Sequence, residues 1–179
     1  FLSFVRDLHA VRPDIKKLGG VYVLSAQDIK KLGPAAEGMY VVTPYPTRLD
    51  GLNTKTNKAF RDIIGVDPEG VETKTGTRLV LAYNWSMWQT MYLIKAGIEK
   101  SGWQDRKDNG KFVKALEGIE FKESVEFPQG TIKIRAEDHL ALVGLYVEQV
   151  VKGTLKVVAR IPVEDATYAP LADHSKESF

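Results

Sequence analysis

The chain has 179 residues, 44% hydrophobic and 27% charged, an ordinary globular balance that excludes a disordered or fibrous protein. Its 25 basic and 23 acidic side chains are mixed in sign, and basic residues run no longer than pairs such as Lys30-Lys31, which excludes a nucleic-acid-binding stripe. No cysteine is present, so disulfides, thiolate metal sites and thiol nucleophiles are excluded together.

Phe1, Phe4, Val5 and Leu8 recur at helical spacing from the first residue, and Pro13-Asp14 ends the segment. This opening reads as the middle of a helix rather than a leader peptide, as expected of a chain truncated at its start. After Gly19-Gly20, Val21 to Leu24 is a short apolar run of the buried-strand type. Ser25-Ala26-Gln27-Asp28 opens a brief helix that runs to Leu32 and closes at Gly33-Pro34. A second strand, Met39 to Val42, runs into Thr43-Pro44-Tyr45-Pro46, where two prolines flanking an aromatic predict an extended crossing segment.

Asn53 to Ile64 predicts an amphipathic helix with Phe60, Ile63 and Ile64 on its inner side. Residues 68–77, with Gly70, Gly76 and several charges, predict an exposed loop. The most hydrophobic helix follows at about residues 79–100. Met87, Met91, Ile94 and Ile98 fall at helical spacing, and Trp85, Trp88 and Tyr92 widen the apolar face, so burial on most sides is expected. Asn84, Gln89 and Lys95 make it too polar to span a bilayer. Phe112, Val113 and Leu116 mark a further short helix, ended by Gly118.

Beyond it the chain is extended. Gln129-Gly130 is a turn, and Ile132 and Ile134 alternate with Lys133 and Arg135 as in a half-exposed strand. Leu145 to Val151 and Thr154 to Ile161 are β-rich runs separated by Lys152-Gly153, a hairpin signal. After Pro162 the sequence turns polar and predicts a surface tail. Short strands alternating with helices give an α/β class.

Three ordered patterns carry a resemblance. Gly33-Pro34-Ala35-Ala36-Glu37-Gly38-Met39 leads into a β-run ending at Pro44. Ala82-Tyr83 opens the long helix, which ends in residues 95–102 and is followed by Phe112 to Gly118. Pro128 to Ile132 precedes Arg135-Ala136-Glu137-Asp138-His139 and a strand through Tyr146, Val147, Gln149 and Val150. Together they resemble the later half of a type I periplasmic solute-binding protein of the branched-chain amino acid class.

That resemblance implies two Rossmann-like α/β lobes joined by hinge crossovers, here incomplete. Residues 1–43 would belong to the second lobe, 44–138 to the first, and 139–179 to the second lobe's return strands and tail. Relatives carry a further strand, loop and helix after a segment like Arg12 to Ile15, so a deletion or gap is expected there. The implied function is an extracytoplasmic, periplasmic receptor that captures an amino acid, amide or aromatic acid and delivers it to the permease of an ABC importer. It would be a monomer, would meet the membrane only through the transporter, and would need no cofactor. A ligand-sensing regulatory domain of the same fold is the alternative; with no phosphate loop, serine elbow or zinc-helix motif, an enzyme is not expected.

In open α/β sheets ligands gather at the carboxyl ends of strands, which singles out the loop of Ser25, Ala26, Gln27 and Asp28. Asp28 could meet an ammonium, but Ser25 or Asp28 could equally cap the helix that starts there. Arg78, near a position where relatives touch ligand, could hold a carboxylate or could face solvent. Tyr45 could stack on a ligand or pack within the crossing segment. Glu137-Asp138-His139, the one tight cluster of catalytic-type residues, reads as structural rather than as a metal site.

Overall fold

The computed structural model describes residues 1–20, 24–49 and 54–177. In chain order the elements are α1 (Leu2–Val11), β1 (Leu18–Gly19), α2 (Ala26–Leu32), a 3-10 turn (Gly33–Ala36), β2 (Tyr40–Thr43), α3 (Lys55–Ile64) and α4 (Leu81–Ser101). There follow α5 (Asn109–Leu116), β3 (Glu120–Phe121), β4 (Ile132–Ile134), β5 (Ala141–Val143), β6 (Leu145–Val151), β7 (Thr154–Ile161) and α6 (Val163–Ala166). The strand expected at Val21 to Leu24 lies outside the described residues except for Leu24, which is buried. Two compact units result: Phe1–Tyr83 with Leu145–Ile161, and Asn84–Gly144 with Pro162–Phe179. The lobe division at 43/44 and 138/139 concerns a complete two-lobe molecule; the compact units of this chain part elsewhere, at 83/84, 144/145 and 161/162.

The first unit is built on a four-stranded sheet in the order β1-β2-β6-β7. β1 runs parallel to β2, and the other neighbours are antiparallel. Period-two alternation makes β6 half buried, with Tyr146, Glu148 and Val150 inward. Its core gathers Val5 of α1, Ile29 and Leu32 of α2, Ala36 of the 3-10 turn, Val41 and Val150. The β6–β7 hairpin forms on the expected two-residue turn: Lys152 and Gly153 have φ of 53° and 71°, the doubly left-handed geometry that matches strand twist. The Glu37 carboxylate grips that turn, accepting from the Lys152 and Gly153 amides at 2.8 and 3.2 Å.

One expectation for this unit needs correction. In α3 the inner side holds Asn57, Phe60 and Arg61, whereas Ile63 is 59% exposed. The guanidinium takes the inner place because three backbone carbonyls accept from it: Thr47 O at 2.8 Å, Pro46 O at 3.0 Å and Asp67 O at 3.2 Å. Residues 68–77 form the expected loop, exposed at Pro68 and from Thr73 to Thr77, and pinned at its base. Val66 bridges Glu72 and Val71 bridges Arg78, the Asp67 side chain accepts from the Glu69 and Val71 amides, and Gly70 is buried. A Cβ at Gly70 would stand 2.5 Å from Thr47 O, so only glycine fits.

The second unit holds a three-stranded antiparallel sheet, β3-β4-β5, with α4 and α5. Trp88 Nε1 donates to Val125 O at 2.9 Å, and Tyr92 and Phe121 both pack on the Phe127 ring. Gly97 admits α5: a Cβ there would lie 2.5 Å from the Phe112 ring. Burial of α4 on most sides is not met, since Met87 and Met91 are 66% and 60% exposed. The buried side is that of Trp85 and Gln89. The chain after Pro162 is polar and largely exposed, yet anchored, because the Arg135 guanidinium donates to Tyr168 O and lies over the Tyr168 ring, and His174 N donates to Glu137 O at 2.5 Å.

Candidate functional site

The first unit contains a cavity of about 190 Å³. Three separate stretches converge on it. Ser25 and Ala26 come from the start of α2, Arg78 from the segment before α4, and Gly153 and Thr154 from the hairpin turn, with Leu24, Ile29 and Leu155 as apolar wall. Thr47 closes another side; its amide donates at 3.1 Å to the buried Glu148 carboxylate of β6, which fixes the loop after β2.

At the α2 end, capping and site geometry coincide. Ser25 Oγ accepts from Asp28 N at 3.1 Å, while Asp28 Oδ2 accepts from Ser25 N at 3.0 Å and Ser25 Oγ at 2.6 Å, a reciprocal capping box. The hydrogen bonds from the Ser25 hydroxyl and amide hold the Asp28 carboxyl below its usual range. The capping reading of Asp28 is the one realised, and its carboxylate is engaged there rather than lining the cavity. Ser25 has given its proton to that box but keeps a lone pair for one further donor. Gln27 is exposed and outside the lining.

Arg78 is the charge on the cavity wall. Its Nη1 donates to Thr154 Oγ1 at 3.4 Å, and among the described residues no carboxylate pairs with it. A half-buried guanidinium with most of its donors unspent beside an apolar wall is suited to an anionic group, which it can take through two parallel bonds. Tyr45 stands apart from this. It is 1% exposed, donates to Asn57 Oδ1 at 2.7 Å, meets the Phe60 ring edge-on at 5.6 Å and lies under the Arg61 guanidinium. The space beside it is about 10 Å³, too small for a ligand.

Glu137, Asp138 and His139 are likewise absorbed by the fold of the second unit. Arg135 forks onto Asp138 at 2.8 and 2.5 Å and holds its carboxyl near 2. His139 Nε2 lies 3.0 Å from Glu117 Oε1. Among the described residues no group of three or more such side chains could hold a metal ion. Of the expected site residues, Ser25, Ala26 and Arg78 share the cavity. Thr47 and Thr154 were not singled out: the turn beside Thr154 was legible, but nothing local says that it meets Ser25.

Residues 11–154 match the family described as periplasmic binding protein. The chain belongs to this family. None of the curated proteins matches it in sequence. Among solved structures, a leucine-binding protein from Thermotoga maritima is 20% identical over 92% of this chain and 42% of its own, with a TM-score of 0.68. The solute-binding protein of an ABC transporter from R. palustris, in complex with benzoate, is 21% identical over 98% of this chain and 43% of its own, with a TM-score of 0.61. A leucine-, isoleucine-, valine-, threonine- and alanine-binding protein from Brucella ovis, in its closed conformation, is 17% identical over 94% and 42%, with a TM-score of 0.62. At these identities the likeness establishes the fold, that of type I periplasmic binding proteins, of which the chain spans little more than two fifths. The family and these neighbours bind solutes and are not enzymes. The family implies a place outside the cytoplasm, and among the described residues no helix is long and apolar enough to cross a membrane.

Proposed function

We propose that the chain forms part of an extracytoplasmic, periplasmic receptor for a small organic acid, an amino acid or an aromatic carboxylate, handed on to the permease of an ABC importer. The observation that supports this reading best is the convergence of Ser25, Arg78 and Thr154 on one cavity in a chain of this family. Arg78 takes the ligand carboxylate, Thr154 shares the anion or orients the guanidinium, and Leu24, Ile29 and Leu155 face the carbon skeleton. A volume of about 190 Å³ suits such a ligand, since a cavity of roughly 150 Å³ accommodates a benzene ring.

In the complete receptor, residues 1–43 and 139–179 belong to one lobe and 44–138 to the other. Ligand contacts made only in the closed state shift the population toward it, and the importer reads that shape. The receptor works as a monomer and meets the membrane only through the transporter.

The test is a thermal-shift and calorimetric panel of benzoate, 4-hydroxybenzoate, leucine and the corresponding uncharged amides. A true ligand at a hundredfold excess over its Kd stabilises the native state by about 2.7 kcal/mol. Arg78→Ala removes a charge-assisted bond of about 1.5–3 kcal/mol, a loss of roughly 10- to 100-fold in affinity. The proposal fails if amides bind as tightly as acids, or if Arg78→Ala binds the acid as well as the parent does.

A further inference from the structure

Three carboxylates of the first unit lie against the wall of its 190 Å³ cavity, and each is turned to the backbone of that wall rather than to the space inside. Asp28 accepts from the Ser25 amide at 3.0 Å and from the Ser25 hydroxyl at 2.6 Å. Glu148, 2% exposed, accepts from the Thr47 amide at 3.1 Å. Glu37 accepts from the Gly153 amide at 3.2 Å and from its neighbour Lys152 at 2.8 Å. Ser25, Thr47 and Gly153 line the cavity; the carboxylates that hold them do not. Two consequences follow. The amides of these three residues are spent and offer nothing to an anion, and the charge left on the described lining residues is of one sign, that of Arg78.

That distribution separates two kinds of acid. A plain carboxylate brings one negative charge to one guanidinium and lays its carbon skeleton on Leu24, Ile29 and Leu155. An amino acid brings an ammonium as well. Inside the cavity that group loses its water, stands in the field of Arg78, and finds the neutral oxygens of Ser25 and Thr154 in place of a carboxylate. A buried charge without a counter-charge is costly, and a like charge nearby rejects it further. We propose that the cavity selects a monocarboxylate that carries no ammonium group, an aromatic or branched aliphatic acid, and rejects the corresponding amino acid. The proposal rests on the reading of Arg78 as the partner of the ligand carboxylate and narrows the ligands which that reading admits to one class.

Leucine and 4-methylpentanoate share a carbon skeleton and differ in the ammonium group, as do phenylglycine and phenylacetate. Calorimetric titration of the chain with both pairs, and with 4-methylpentanamide, makes the test. In each pair the acid without an ammonium is expected to bind at least about tenfold more tightly than the amino acid. If 4-methylpentanoate outbinds its amide while leucine binds as tightly as 4-methylpentanoate, the proposal is overturned and the role of Arg78 stands. If the amide binds as tightly as the acid, or if neither acid binds, both fall together. Ala26→Asp places a carboxylate on the cavity wall, at the first position of α2, where an acidic residue is compatible with the helix. In that variant, once circular dichroism shows the parent's spectrum, the preference for 4-methylpentanoate over leucine is expected to fall to parity or reverse, and an unchanged preference overturns the proposal. The ligand pairs are read on the unaltered chain, so the test stands even where the variant does not fold.

Discussion

Arg61 is expected to be among the costliest side chains to remove from the first unit. It is 1% exposed, and its guanidinium donates to the carbonyls of Pro46, Thr47 and Asp67, tying α3 to the segments on either side of it. Each such bond from a charged donor contributes about 1.5–3 kcal/mol net, which gives about 4.5–9 kcal/mol if the three were additive. They share one donor group and are not additive, and deleting the ion also removes several kcal/mol of its own desolvation penalty. Arg61→Met, close in volume, is therefore expected to lose about 3 kcal/mol, chiefly from the Pro46 and Thr47 carbonyls that lose the guanidinium, since Asp67 O keeps the Gly70 amide at 3.0 Å. Arg61→Lys keeps the charge but lacks the planar fork, and is expected to lose about 2 kcal/mol. At about 2–4 °C per kcal/mol for a chain of this size, Arg61→Met melts about 6–12 °C below the parent. Urea denaturation followed by far-ultraviolet circular dichroism measures the loss directly. A loss below about 1 kcal/mol for Arg61→Met, or a lysine variant as stable as the parent, would refute the reasoning.

Two further outcomes follow from the second unit. Its hydrogen bonds with Arg135 hold the Asp138 carboxyl near 2, against 3.8 for an unperturbed aspartate. Because the folded value is the lower one, the interaction contributes fully above about pH 4 and is lost as pH falls from there toward 2. An acid titration of stability should thus be steeper in the parent than in Asp138→Asn over that window, and superimposable slopes would count against the pairing. In α4, Gly97→Ala puts a methyl 2.5 Å from the Phe112 ring. The clash of about 1–3 kcal/mol outweighs the roughly 1 kcal/mol gained in helix propensity, so the melting point falls. Phe112→Leu in the same chain is expected to restore part of it, and a stabilised Gly97→Ala would show that Phe112 does not press on the helix.

Most of the fold was legible wherever a local rule decides the structure. Lys152-Gly153 between two β-rich runs could form little other than a tight hairpin, and Ser25 and Asp28 were each legible as a cap, which the structure joins in one capping box. The inner side of α3 was read wrongly because hydrophobic spacing places Ile63 inside, whereas carbonyls from the segments before and after the helix draw Arg61 there. β1 is two residues long and leaves no periodicity to detect. For α4, sequence gave its length and apolar character, but which side is covered depends on what packs there. Of the candidate site, Ser25 and Arg78 were named singly from their chemistry; their meeting with Thr154 is a product of strand order, which residue spacing does not encode.

The grip of Glu37 on the β6–β7 turn bears on how the first unit assembles. The carboxylate and the amides it holds are 115 and 116 residues apart, and β2 pairs with β6 across a slightly shorter interval. Closing a loop of that length is a slow, largely entropic step, but one closure serves both contacts, since doubling a loop adds only about 0.6 kcal/mol and a second tie across a closed loop adds less. Strand pairing and the grip on the turn therefore form together. The Thr154 wall of the cavity takes shape in the same event, only once β6 and β7 have both joined the half of the sheet made by the first forty-odd residues.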